Sequence, residues 1–260
     1  MYKKVHFKVL REVNIIAGME ADVADLGDTA AAIKSVFFSD GSAIVMRSAQ
    51  LIRIMEKARS LFPCLTRFAC YGAVSHILLK KPEDLKVMAQ LGLERIHCGV
   101  ESGNDEVLRS LNKGCVREDI VRAGELLLEA GIELDASIMI GCGGKDLSED
   151  NARDTASVLN ICKPATVRIR TFAPKLGTAM GDDYMDGRFI LLDHHEALRE
   201  LRWFVEQLDC ATELRGDHWT NFVNLRGHLP RDKEKILTIL DEALEMPPER
   251  FRPLGAIRWQ

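Results

Sequence analysis

The stretch LGLERIHCGVESGNDEVLRSLNKG, residues 91–114, decides the fold that this sequence predicts. Its apolar part, Arg95–Val100, has the length and composition of a buried strand, and the polar run Glu101–Asp105 forms a turn before a helix begins. In a parallel α/β protein, ligands bind at the carboxyl ends of the strands. Glu101 and Ser102 therefore stand where chemistry is expected.

The order strand, loop and helix recurs five times along the chain, with a period of about 30–35 residues. Each short apolar run is followed by a helix of amphipathic periodicity; one such helix, Leu147–Asn160, has Ser148 and Glu149 placed to cap its first turn. This alternation predicts a parallel sheet with helices outside it, either an open doubly wound sheet or a barrel. The predicted strands are Lys34–Ser39, Leu65–Tyr71, Arg95–Val100, Ile132–Ile140 and Thr166–Ala173.

The repeat ends after the fifth strand. A long helix is predicted at Leu191–Leu208 and a final one at Asp232–Leu244, separated by an irregular segment, Thr212–Leu229, that is rich in His, Asn and Trp. The sequence therefore predicts a barrel-type domain over residues 1–181. An α-helical C-terminal extension, residues 182–260, is expected to pack on it.

Composition limits the class of protein. The 260 residues are 47% hydrophobic and 28% charged, and the net charge of −4 is not that of a nucleic-acid-binding domain, which is normally basic. No run reaches the roughly 18 apolar residues of a membrane span. The seven cysteines show no compact pairing pattern, which favours a reducing compartment. We expect a cytoplasmic protein whose partners are neither nucleic acid nor membrane.

Three polar loops follow predicted strands: Ser39-Asp40-Gly41-Ser42, Glu101-Ser102-Gly103-Asn104 and Gly141-Cys142-Gly143-Gly144. Their glycines let backbone N–H groups approach a ligand closely, and the carboxylates of Asp40 and Glu101 suit ribose hydroxyls or an ammonium group. Ordinary turns between strands and helices favour the same residue types, so the alternative that these loops are purely structural stays open.

Two segments, CGVESGNDEVLRSLNKG and AGELLLEAGIELDASIMIGCGG, resemble the core of the radical S-adenosylmethionine (SAM) superfamily. The nearest branch is that of oxygen-independent coproporphyrinogen oxidase and the elongator catalytic subunit. The resemblance runs from about Lys3 to Thr178 and includes the segment FFSDGSAI. It implies a partial (β/α)6 TIM-type barrel in which a [4Fe-4S] cluster cleaves SAM reductively to a 5′-deoxyadenosyl radical. It also implies an unidentified substrate and an electron donor such as flavodoxin or ferredoxin.

The resemblance further implies a set of SAM-binding residues. The segment Ser39–Gly41 matches the one that meets the SAM amino group, and Glu101 matches a contact to the ribose or methionine part. Lys113 falls where relatives place a basic residue for the SAM carboxylate, although a solvated helix-end lysine is an equal alternative. Ser137 falls where some relatives carry a ribose-binding carboxylate. The implied SAM-binding residues are Ser39, Asp40, Gly41, Glu101, Ser102, Lys113, Ile140 and Gly141.

The sequence departs from the family in its cysteines. The family holds its cluster with C-x-x-x-C-x-x-C after the first strand, and no such motif occurs here. The chain opens with MYKKVHFKV, similar to the family segment just beyond that motif, so we expect the first strand and the cluster ligands to be missing. The seven cysteines are Cys64, Cys70, Cys98, Cys115, Cys142, Cys162 and Cys210.

Without cluster ligands, this chain alone is not expected to perform the family reaction. Its second barrel strand is expected to have an unpaired edge. One alternative is a non-catalytic SAM- or nucleotide-binding module, or a subunit completed by another chain. A weaker alternative is a TIM-barrel enzyme that needs no metal.

Overall fold

A computed structural model describes residues 8–252. Most of the MYKKVHFKV segment lies outside the described residues. The strands are β1 (Ser35–Phe38), β2 (Arg67–Tyr71), β3 (Leu93–Glu101), β4 (Glu133–Ile140), β5 (Thr166–Thr171), β6 (Thr212–Gly216) and β7 (Leu225–Leu229). The helices are α1 (Glu12–Leu26), α2 (Ser48–Leu61), α3 (Val74–Ile77), α4 (Pro82–Gln90), α5 (Asp105–Ser110), α6 (Arg117–Ala130), α7 (Ser148–Cys162), α8 (Ala179–Met185), α9 (His194–Gln207) and α10 (Lys233–Leu244).

The seven strands follow one another through the sheet in chain order, β1 to β7. The pairs β1–β2, β2–β3, β4–β5 and β5–β6 are parallel, and β6–β7 is antiparallel. The predicted α/β fold with a mostly parallel sheet is confirmed. No helix within residues 8–252 has both the length and the apolar composition needed to cross a membrane.

The chain divides into two compact units. The first contains residues 8–98 and 126–133. In it, Phe68 and Cys70 of β2 are buried, whereas Arg67 and Tyr71 are exposed, so one face of this strand is covered and the other is not. The helix α2 packs against α1 and α4.

The second unit contains residues 99–125 and 134–252. The apolar face of β4 to β6 is buried, α7 packs against α9, and α10 packs on α9 and β7. Leu134, Ile138 and Ile169 are among the buried residues of this face. The predicted division into residues 1–181 and 182–260 stays a prediction.

The prediction that Thr212–Leu229 is irregular is wrong. This segment contains β6 and β7, so the C-terminal region adds strands to the sheet besides its helices. Both strands alternate buried and partly exposed residues, as in Leu214 against Glu213 and Arg215. The alternation was readable, but each strand is five residues long and the polar run between them obscured the period.

We predict that Leu214→Ala lowers the free energy of unfolding by about 2–5 kcal/mol, because Leu214 is completely buried in β6. Urea unfolding measures the loss. The matched control is Leu176→Ala, at a leucine that is 49% exposed, for which a change within about 0.5 kcal/mol is expected. Equal losses in both variants would show that β6 is not part of the core.

Candidate functional site

Glu101 ends β3 in a left-handed backbone conformation, with a φ of 66°. For a residue other than glycine this conformation costs about 1–3 kcal/mol, so neighbouring contacts must hold it. The N–H of Ser102 closes the turn by donating to the Val100 carbonyl over 2.9 Å. The Glu101 side chain folds back over Gly99, where a Cβ would lie 2.2 Å from Oε1. A glycine at position 99 leaves the space that the carboxylate occupies.

Lys113 pairs with this carboxylate, with Nζ 3.1 Å from Oε1 of Glu101. The Lys113 N–H donates to the Leu108 carbonyl at the end of α5, which returns the chain toward Glu101. The second carboxylate oxygen, Oε2, is buried and has no hydrogen-bond partner among the described residues. A buried carboxylate oxygen without a donor is unfavourable. A ligand that donates to Oε2 would therefore be stabilised here.

The turn after Glu101 is attached to α7. The N–H of Gly103 donates to Thr155 Oγ1 over 2.8 Å, and a Cβ at Gly103 would lie 2.4 Å from the carbonyl oxygen of Asp154. Asn104 caps α5 by accepting from the N–H groups of Glu106 and Val107. A glycine is thus required for the close approach of the turn to α7.

Ser102 faces the interior. It is fully buried, its hydroxyl donates to Asn151 Oδ1 over 2.5 Å, and it accepts from the N–H of Asn104. The amide of Asn151 in turn donates to Glu200 Oε1 over 2.7 Å. A continuous hydrogen-bonded chain therefore joins the turn after β3 to α9.

Glu200 receives three hydrogen bonds. Its Oε1 accepts from the Gly141 N–H over 2.8 Å and from the Asn151 amide, and its Oε2 accepts from the Ser148 hydroxyl over 2.6 Å. Gly141 directly follows β4 with a φ of 83°, a conformation suited to glycine. The loop after β4 and the start of α7 are therefore both tied to one buried side chain of α9.

Burial raises the pKa of Glu200 to about 7, against the opposing effect of the hydrogen bonds from Ser148, Gly141 and Asn151. Desolvation penalises the charged carboxylate more than these donors stabilise it. The folded protein therefore binds this proton more tightly than the unfolded chain does.

The structure brings five of the predicted site residues together in the second unit: Glu101, Ser102, Lys113, Ile140 and Gly141. Glu101 and Lys113 form an ion pair. Ser102 and Gly141 are hydrogen-bonded in the network of Glu200, and Ile140 is buried in β4. The prediction that Ser148 caps α7 is wrong, because its side chain makes no capping bond and donates to Glu200 instead.

Sequence reasoning missed Asn151 and Glu200. A signal for Glu200 existed: it occupies the helical stripe of Ala197, Leu201 and Phe204, all buried, so it is an acid within an apolar face. Asn151 sits on α7 among polar residues, where nothing in the local pattern separates it from a surface residue.

The predicted residues Ser39, Asp40 and Gly41 lie in the first unit, just after β1, and all three are exposed. Asp40 has a φ of 66°, also left-handed. The next residue, Ser42, is buried and accepts from the Ala73 N–H over 3.0 Å. This loop thus presents an exposed carboxylate from a turn that is anchored on its C-terminal side.

The cysteines of the described residues are dispersed and mostly buried. Burial raises the pKa of Cys70 and Cys162 to about 12 and that of Cys210 to about 11. It also raises the pKa of Cys142 well above its ordinary value. An iron–sulfur cluster needs several cysteine thiolates that converge on one site. Within residues 8–252, no three His, Cys, Asp or Glu side chains are grouped to hold a metal ion.

The sequence model of the radical SAM superfamily matches residues 17–159, more than half of the chain. This chain belongs to the radical SAM superfamily. Both the turn of Glu101 and the loop of Gly141 fall inside the matched range. A [4Fe-4S] cluster is general in the superfamily, but the cysteines of the described residues do not fit one.

Solved radical SAM proteins share the fold. The archaeal Elp3 of Methanocaldococcus infernus, with an N-terminal deletion, has a TM-score of 0.57 at 15% identity, covering 89% of this chain and 59% of that one. Coproporphyrinogen III oxidase (HemN) of Escherichia coli has a TM-score of 0.59 at 17% identity, covering 76% of this chain and 45% of that one. These likenesses support the partial TIM-type barrel. At identities of 15% and 17% they concern the fold and not the function.

In sequence, this chain is similar to an uncharacterized protein of Methanocaldococcus jannaschii, with 26% identity over 113 residues. The match covers 44% of this chain and 34% of the relative. This radical SAM chain therefore aligns with about a third of that protein's length.

We predict that Glu200→Gln removes a pH dependence of stability. The pKa of Glu200 is about 7 in the folded protein, against an ordinary value of 4.5. Proton binding by Glu200 therefore stabilises the folded state fully below pH 4.5, and this stabilisation is lost as the pH rises through 7. Relative to the variant, the wild-type free energy of unfolding should fall by roughly 3 kcal/mol between about pH 4.5 and about pH 7.5. Urea titrations across this range measure the difference.

Glutamine is a suitable replacement because its carbonyl oxygen can still accept from Gly141 and Asn151, and its amide can donate to the Ser148 hydroxyl. The control is Glu206→Gln on the same helix, where the side chain is 51% exposed and pairs with Arg202. This control should keep the wild-type pH profile. Parallel profiles for wild type and Glu200→Gln would contradict the assignment.

Proposed function

We propose that this chain binds SAM at the carboxyl end of β3, through Glu101 and Lys113. The observation that carries the proposal is the buried Oε2 of Glu101, which has no donor among the described residues and lies beside a lysine ion pair. Left-handed backbone at a non-glycine residue is typical of functional positions, which gives independent support.

The pair has the chemistry that the amino-acid end of SAM requires. An ammonium and a carboxylate 3.1 Å apart are complementary to a zwitterion, whose own ammonium and carboxylate are arranged the opposite way. Besides the ammonium group of SAM, a ribose hydroxyl could donate a hydrogen bond to Oε2 of Glu101. The side chains are 25% and 16% exposed, so the pair is reachable while largely shielded from water. When bound, SAM supplies a sulfonium centre with activated carbon–sulfur bonds.

In this proposal Ser102 and Gly141 position the site, because their polar groups are used within the protein. The backbone beside Ile140 is thereby held for the adenine contact that the resemblance implies. The corresponding assignment of Ser39, Asp40 and Gly41 to the SAM amino group stays a prediction. Side chains that are already held in the binding geometry favour binding, because little conformational entropy is lost when the ligand binds.

We do not extend the proposal to reductive cleavage of SAM, because the cysteines of the described residues do not fit a cluster. The dispersed cysteines favour the second candidate function, a SAM-binding module without radical chemistry, or a subunit completed by another chain. An electron donor such as flavodoxin or ferredoxin, and an unidentified substrate, belong to the first candidate only. Binding of SAM is common to both.

We predict that Glu101→Gln weakens SAM binding by at least about tenfold, because a charge-assisted hydrogen bond contributes roughly 1.5–3 kcal/mol. Isothermal titration calorimetry of residues 1–260 with SAM measures the dissociation constant. The control is Glu149→Gln on α7, which removes an exposed acid paired with Arg153 and should leave the constant unchanged. No binding to wild type, or unchanged binding to Glu101→Gln, would contradict the proposal.

We also predict that anaerobic treatment of this chain with iron and sulfide yields no stoichiometric [4Fe-4S] cluster, because three thiolates do not converge among the described residues. Iron analysis and electron paramagnetic resonance after reduction test this. Unaltered SAM binding without iron would favour the binding module. A full cluster with radical cleavage of SAM would restore the enzymatic candidate.

A further inference from the structure

Three arginines stand side by side on one face of the sheet formed by β5, β6 and β7. Arg168 pairs with Arg215 in the parallel register, and Arg215 pairs with Arg226 in the antiparallel one. Side chains directly opposite one another on neighbouring strands are in close contact range, and like charges there repel. Such a row is unfavourable unless anions lie next to it.

Two carboxylates of the protein flank this row. Asp135 is almost completely buried and accepts hydrogen bonds from both Nε and Nη2 of Arg168. The charge of Arg168 is therefore paired within the protein. Glu213 serves both remaining members: its Oε2 accepts from Arg215 over 2.7 Å and its Oε1 from Arg226 over 3.1 Å. One carboxylate thus faces two guanidinium groups. The hydrogen bond from Arg215 lowers the pKa of Glu213, which favours the ionised form of this carboxylate.

Two further features of this face favour an anionic ligand. The Nε of Arg215 is buried and has no hydrogen-bond partner among the described residues. Arg170 lies two residues beyond Arg168, on the same face by strand alternation, and it is exposed. Besides Glu213, the acids whose charges act on Arg215 are Asp135 and the exposed Asp217 beyond the end of β6.

The loop between β6 and β7 lies at the carboxyl end of β5. Asn221 holds it there: its amide donates to the carbonyls of Ile169 and Gly216 over 2.9 Å each, and its Oδ1 accepts from the Thr171 hydroxyl. Burial and, to a smaller extent, the charge of Arg170 lower the pKa of His218 in the same loop. The exposed arginine therefore stands at the end of a parallel strand, where ligands of α/β proteins bind.

We propose that the face carrying Arg170, Arg215 and Arg226 binds an oxyanion, the carboxylate or phosphate group of a small-molecule ligand. Guanidinium groups match both in geometry and bind them in bidentate fashion. The ligand would supply an acceptor for Arg215 Nε and the charge that Glu213 does not balance. This site lies in the second unit and does not depend on the SAM proposal.

The test is a titration of residues 1–260 with inorganic phosphate and, separately, with malonate, at constant ionic strength. The readout is the Nε–H signal of Arg215 in an NMR spectrum assigned through the backbone. We expect a saturable shift of this signal with at least one probe. Saturation with phosphate alone indicates a phosphorylated ligand, and saturation with malonate alone indicates a carboxylate.

The variant Arg226→Gln, at a side chain that is 63% exposed, should weaken probe binding by about tenfold. The matched control is Arg231→Gln, which makes the same charge change at a side chain 73% exposed and paired with Asp232. It should leave the constant within about twofold of wild type. An Arg215 signal that does not saturate with either probe, or equal weakening in both variants, overturns the proposal.

Discussion

The carboxyl group of Glu200 accepts hydrogen bonds from the Gly141 backbone, the Ser148 hydroxyl and the Asn151 amide, and the second unit depends on this contact. It joins α9 to the end of β4 and to the first turn of α7. Through Asn151 and Ser102 it extends to the turn after β3. A buried polar network of this kind is stabilising only when each member has its partners, and here the donors and acceptors match.

This network explains how Glu101 keeps an unfavourable backbone conformation. The residue is attached to the network through its neighbour Ser102, which bonds to Asn151 of α7, and Gly103 bonds to Thr155 of the same helix. With the turn fixed at both points, the strain at Glu101 is held by interactions that do not involve its side chain. Its carboxylate is left for Lys113 and for a ligand.

The same sheet presents two different polar surfaces in the second unit. At the end of β3, one carboxylate and one ammonium nearly balance each other, which suits a zwitterionic ligand. On β5 to β7, guanidinium groups outnumber the carboxylates that pair with them, which suits an anion. The opposite face of β5 and β6 is apolar, and Val167, Ile169 and Leu214 are buried there. Strand alternation separates the core from both polar surfaces.

The sequence by itself determined the alternation of strands and helices, because hydrophobic period and turn residues are local properties. It also placed Glu101 and Gly141 at the ends of their strands, and the radical SAM resemblance followed from those segments. It did not determine β6 and β7, whose five residues each become a strand only by pairing with β5 and with each other.

Only the tertiary structure decided which polar groups meet. Glu200 lies 59 residues from Gly141 in the chain, and the arginine row joins three strands. Contacts between residues so distant in sequence leave no spacing to read, since they are set by how helices and strands pack. Burial shifts the pKa of Glu200 and leaves Glu101 Oε2 without a donor among the described residues. Burial, like these distant contacts, is a property of the packed chain and not of any local segment.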